Sequence, residues 1–176
     1  MSKQPRVVRR DEVEPQAWAN GGGTTRELLR AEDGSWRVSL ADIERDGPFS
    51  SFPGRRRLLT VVDGTVLTLV VDGVGQVVEP RRPFAFDGDS EVIASVPEGP
   101  VRALNVIVDP AVVTPFVTVL ELGRSSALPI AGDQAVLVLQ GRAQVEGVEA
   151  SPYDLIAGPA DVSGRCTLAV ITLERV

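Results

Sequence analysis

Histidine is absent from the 176 residues, and cysteine occurs once, at Cys166. Zinc, copper, nickel and non-haem iron centres take most of their ligands from those two residue types. The sequence therefore predicts a metal-free protein that carries no cofactor. The missing imidazole also removes the His general base and every triad built on one. A lone cysteine cannot close an internal disulfide, and a reducing, cytoplasmic setting is the default for such a chain. No apolar run approaches the roughly 20 residues that span a bilayer, so no membrane partner is expected. Residues 1–15 lack the apolar core of a secretory signal. Positive charge is short as well. The net charge is −6, and Lys3 is the only lysine among 18 basic residues. That balance argues against nucleic acid as a partner. Arg55–Arg57 and Arg81–Arg82, Arg57 apart, read as solvated surface rather than a phosphate track.

What the chain does contain is concentrated between residues 18 and 54. Gly21, Gly22 and Gly23 run together behind Trp18 and Asn20. Such a run costs backbone entropy and suits a place where main chain must turn or be approached closely. Its consecutive N–H groups could form a concave anion site, or it could be a tight connection between strands. The P-loop is excluded because no Gly-Lys-Ser/Thr ending follows. Trp36, Arg37, Val38, Ser39 and Leu40 alternate apolar and polar, as a half-buried strand does. Gly47 to Gly54 then brackets Phe49 and Phe52 between turn residues.

Punctuation sets the fold class. Residues 24–31 suit helix or strand, but Asp33-Gly34 before the Trp36 strand favours a hairpin. Short runs rich in Val, Ile, Leu and Thr follow at 58–62, 65–71, 76–79, 84–86, 91–96 and 101–108. Asp-Gly and Gly-Pro turns separate them, which means an all-β sandwich or barrel. A first strand is expected at residues 5–10. Further runs at 116–122, 135–139, 142–145, 154–157 and 167–173 repeat the plan, with Pro83-Phe84 matched by Pro152-Tyr153. Two chance-similar hairpins and an internal duplication both fit this repetition.

Strand, X-Gly turn, strand and Pro-aromatic resembles the cupin barrel, and twice over it resembles a bicupin. The segments Trp18-Ala19-Asn20-Gly21-Gly22-Gly23, Trp36 to Leu40, Asp46 to Ser50 and Phe52-Pro53-Gly54 are more specific. They resemble the HutD/Ves family, bicupins associated with bacterial histidine utilisation. Leu104-Asn105-Val106 is similar to that family's Phe-Asn-Val strand. Arg57 keeps a family position, while Arg56 stands where the family commonly has an acid. The resemblance implies an all-β bicupin in one compact unit. Residues 1–110 would form the cupin half with the pocket, and residues 111–176 a structural or dimer-forming half. It also implies binding of a small anionic metabolite, a carboxylate or formyl compound, in an accessory or regulatory role in histidine utilisation.

The expected pocket lining is Asn20, Gly21, Gly22, Gly23, Thr25, Ser39, Arg57 and Asn105, with Phe49 and Phe52 closing over it. Asn105 lies in an apolar strand and must find partners, either in neighbouring backbone or in a ligand. Arg57 is the candidate carboxylate clamp. Arg37 shares a strand face with Ser39 and reads as solvent-facing. Tyr153 reads as core. The alternative is a cofactor-independent isomerase or hydrolase acting on a small anion, its acid–base work falling to Asp, Glu or Tyr153.

Overall fold

The computed structural model describes residues 6–176. Its strands are β1 (Arg6–Val8), β2 (Gln16–Ala17), β3 (Gly23–Arg30), β4 (Trp36–Ile43), β5 (Gly47–Pro48), β6 (Arg56–Asp63), β7 (Leu67–Val71), β8 (Val74–Val78), β9 (Phe84–Asp87), β10 (Val92–Ser95) and β11 (Val101–Val108). They continue as β12 (Val113–Leu122), β13 (Ala127–Ile130), β14 (Gln134–Gly141), β15 (Ala143–Val145), β16 (Val148–Ala150), β17 (Leu155–Ala157), β18 (Ala160–Ser163) and β19 (Cys166–Arg175). One 3₁₀ turn, Arg10–Glu12, is the only helical element among the described residues. No helix there is long and apolar enough to cross a membrane. The chain is all-β, as the turn punctuation predicts.

Residues 14–114, with Arg175 and Val176, form one unit. It contains a six-stranded sheet, β2-β3-β4-β11-β6-β9, and a four-stranded sheet, β5-β10-β7-β8. Ile43, Leu59, Val61 and Ala103 from the first sheet cluster with Leu67, Leu69, Val92 and Ala94 from the second, all at most 3% exposed. Alternation fixes which residues take part, because one strand face holds every second side chain. The hairpin is present: β3 pairs with β4, and Ala31 N–H donates to Trp36 O at 2.9 Å across the Asp33-Gly34 turn. Residues 24–30 are thus strand, not helix.

Residues 6–13 and 115–174 form the other unit. Its sheets are β1-β17-β14-β19-β12 and β13-β18-β15-β16, around a core that includes Val136, Val138, Ile156 and Leu168. Here the division differs from a simple cut near residue 110. β1 pairs with β17, Arg6 opposite Ala157, and Arg9 Nη1 donates to Asp154 Oδ2 at 3.0 Å. The first strand is seen from Arg6 to Val8; Pro5, included in its expected range, lies outside the described residues. Tyr153 is only half-buried, with φ of 70° in the turn before β17. Cys166 is buried, and burial pushes its thiol pKa up. Among the described residues, no ladder joins the two sheets of either unit into a continuous barrel.

Candidate functional site

At one end of its inner face the six-stranded sheet packs the core; at the other it lines a cavity of about 500 Å³. Side chains two apart on a strand share a face. On β4 the lining residues are therefore Arg37, Ser39, Ala41 and Ile43, on β11 Asn105 and Ile107, and on β3 Thr25 and Glu27. Strand register sets them in rows. Glu27 stands opposite Ser39 and Ser39 opposite Asn105; in the next row Arg37 faces Ile107 and Ile107 faces Arg57.

Arg57 dominates the chemistry. It is 5% exposed, yet among the described residues no carboxylate lies within ion-pair distance of its guanidinium. Nη1 donates to Ser50 O and Nη2 to Asn105 Oδ1, both at 3.3 Å, and Nε has no partner. Phe49, Phe52 and Phe86 surround the cation, their ring centroids 5.3, 5.0 and 4.8 Å from Cζ. Those quadrupoles offset only part of the lost hydration. Burial first, and the charge of Arg37 second, push the Arg57 pKa down to about 10. A buried cation held beside a second cation without a counter-ion suits an anion that is not part of the chain.

The structure brings seven of the ten expected residues to the cavity: Asn20, Thr25, Ser39, Phe49, Phe52, Arg57 and Asn105. Gly21, Gly22 and Gly23 are not among its lining residues. Gly21 N–H donates to Trp18 O at 3.0 Å and Gly22 N–H to Asn20 Oδ1 at 2.9 Å, so those donors are already used. The run is a tight connection rather than an anion nest. Gly23 is required for packing, since a Cβ there would strike Asp42 O. Asn20 also serves the fold, because its Nδ2 donates to Pro48 O at 3.2 Å and ties the glycine turn to the Phe49 loop.

That loop is a fixed wall. Phe49 N–H donates to Val92 O at 2.9 Å, and Phe52 N–H donates to Gly88 O at 2.7 Å. Arg37 departs in part from its expected place in solvent, being half-buried. It lines the cavity with Cζ 4.5 Å from the Phe52 centroid, because its face is set by Ser39 two residues on. The same rule could have found Glu27 from Thr25 and Ile107 from Asn105. Trp18 is a further lining residue. Its Nε1 donates to Thr25 Oγ1 at 2.8 Å, which leaves the threonine proton free to point elsewhere.

Asn105 faces the lumen and also has a protein partner, the Arg57 side chain. Asn105→Leu should therefore lower stability by about 1–3 kcal/mol by stranding a guanidinium donor. It should also weaken binding of a small carboxylate, because Arg57 loses its orientation. A melting curve and a titration on this variant check both effects; unchanged stability would mean the 3.3 Å contact contributes nothing.

An all-β chain with paired sheets around each core has a cupin-like fold. The cupin 2 conserved barrel domain protein from Leptotrichia buccalis superposes over 99% of this chain and 92% of that one, with a TM-score of 0.60 at 11% identity. The HutD family model matches residues 10–168, and the chain belongs to the HutD family. HutD from Pseudomonas fluorescens SBW25, in a formate condition, is 31% identical with a TM-score of 0.80, over 97% of this chain and 99% of that one. A conserved protein of unknown function from Pseudomonas aeruginosa PAO1 has a TM-score of 0.84 at 25% identity, covering 98% and 100%. By sequence, an uncharacterized 21.2 kDa protein in the hutC 3′ region of Pseudomonas putida is 39% identical over 61% of this chain and 60% of its own length. Protein Ves from Citrobacter koseri is 39% identical over 47% of this chain and 46% of its own. The chain thus spans about half to three-fifths of the curated relatives it matches.

Proposed function

We propose that the cavity of residues 14–114 binds a small carboxylate or formyl metabolite without a metal, in an accessory or regulatory role in histidine utilisation in the cytoplasm. The observation that carries this reading is Arg57: a buried guanidinium facing a cavity, with no carboxylate of the described chain to pair with it. The hut-region name of the Pseudomonas putida relative supports the metabolic setting. The cupin-like neighbours support a bicupin, each unit being an opened barrel.

Titration with formate, formylglutamate and urocanate tests the assignment; formate comes first because it names the condition of the Pseudomonas fluorescens structure. At least one should bind and raise the melting temperature. No binding by any small carboxylate at millimolar concentration would remove the reading.

The pH profile adds a sharper expectation. The folded pKa of about 10 lies below the ordinary arginine range, so cationic Arg57 weakens the fold at neutral pH. That penalty is relieved as pH rises through about 10. A bound anion pulls the pKa back up. Affinity should stay level from about pH 7 to 9 and fall tenfold per unit above about 10, one proton per ligand. A fall centred near neutrality would assign the binding charge to another group. Elemental analysis should find no stoichiometric transition metal, since the chain has no histidine and one cysteine; one zinc, iron or nickel per chain would overturn the metal-free assignment.

A further inference from the structure

Glu27 is the one carboxylate among the described residues lining the cavity. It enters on β3 at the bulge before Leu29, opposite Ser39, while Arg57 stands three strands away on β6. Adjacent strands lie about 4.8 Å apart and the two residues stand in neighbouring rows, so the two groups reach inward from backbones at least about 14 Å apart. Arg30 Nη1 and Arg37 Nη1 lie 3.7 and 3.9 Å from the Glu27 oxygens. Those separations neutralise charge but exceed hydrogen-bond distance. No described residue donates a hydrogen bond to either oxygen. A carboxylate offers about four acceptor positions, and here they face a cavity.

Charge narrows the occupant further. Arg37 and Arg57 against Glu27 leave one net positive charge in the lining. One ligand carboxylate on Arg57 balances it. Whatever reaches Glu27 must then offer a donor, because another acceptor would leave its open carboxylate positions unfilled.

We propose that Glu27 is a specificity-determining residue, and that the ligand is a small carboxylate whose far end carries an N–H donor. This rests on the carboxylate assignment of the cavity. An ammonium and a neutral amide share the required chemistry. The competing role for Glu27 is to offset Arg37 alone, and that role gives no preference for donors.

Calorimetric titration with three ligands of matched length separates these. Pentanoate has no donor, 4-aminobutyrate ends in an ammonium and succinamate in an amide. At least one donor ligand should bind about tenfold or more tightly than pentanoate. Comparing the two donors tells ammonium from amide. In Glu27→Met the preference should vanish, bringing the three affinities within about twofold of one another. Glu27→Gln keeps the shape but loses the charge, and should shrink the preference about threefold or more; it supplies the test if Glu27→Met does not fold. Pentanoate binding as tightly as both donors, or a preference that survives in Glu27→Met, overturns the inference. The carboxylate assignment stands in that case if pentanoate binding still depends on Arg57. If none of the three binds, and formate does not, both fall together.

Discussion

Arg57→Met is expected to give a protein that melts higher than the parent and no longer binds small carboxylates. The parent buries a guanidinium with an unpartnered Nε, two 3.3 Å hydrogen bonds and no carboxylate within ion-pair distance among the described residues. Replacing a buried ion pair with apolar side chains of similar volume is often neutral, or stabilising by about 1–4 kcal/mol, and an unpaired buried charge has less attraction to lose. Three aromatic rings around the cation return some of its desolvation cost, so the gain should fall in the lower half of that range. Asn105 Oδ1 loses its donor in the variant but opens on the cavity, where water can serve it. A desolvated charge-assisted contact is worth about 2–5 kcal/mol to a ligand, so affinity should drop by about thirtyfold to several thousandfold. Thermal melts and titrations on the same preparation measure both. A variant that is stable and still binds with parental affinity would remove Arg57 from the site. A strongly destabilised one would make it a structural residue instead.

Gly88→Ala is expected to damage both quantities together. The Phe49–Phe52 wall is clamped to residue 88 by Phe52 N–H to Gly88 O and Gly88 N–H to Arg55 O, each at 2.7 Å. A Cβ on Gly88 would collide with Phe52 O and come within 2.9 Å of Arg55 O, both main-chain atoms that cannot rotate away. Overpacking of this kind costs about 1–3 kcal/mol. At this chain length that is a fall in melting temperature of about 2–12 °C. Releasing the wall also loosens the rings around Arg57, so carboxylate affinity should fall about tenfold. Gly75→Ala is the control. It lies on β8 with no atom within 4 Å of where its methyl would stand and no positive φ, and it should change neither quantity. A Gly88→Ala protein indistinguishable from that control would show that the clamp is dispensable.

Most of the fold is legible in turn chemistry. Asp33-Gly34, Asp63-Gly64 and Asp72-Gly73 each sit between strands, as Asp-Gly pairs predict. β1 is readable as a strand but not by partner, because nothing in Val7-Val8 names a mate about 150 residues away. The site is legible to the extent that strand alternation reaches it. The motifs around Ser39 and Asn105 put both in the lumen, and the same alternation carries Arg37, Glu27 and Ile107 in with them. Residue preference alone sends Arg37 to solvent, since arginine is usually exposed, and register overrides it. The glycine run misleads for a different reason. Composition shows that a backbone needs freedom, not whether its N–H groups are already bonded, and here Asn20 and Trp18 O accept from them.

The pairing of β1 with β17 bears on the order in which the molecule assembles. Residues 6–8 are made well before their ladder partners at 155–157, about 150 residues further along the chain. During synthesis β1 must wait as an unpaired strand while residues 14–114, which need neither end for their two core sheets, are free to fold. Long-range pairing of this kind is slow because loop closure precedes any reward. The cavity-bearing unit is thus expected to form early, and the unit that takes up β1 only after residues 155–157 have been made. A stalled chain ending near residue 150 should already bind a small carboxylate while its first strand remains open to proteolysis.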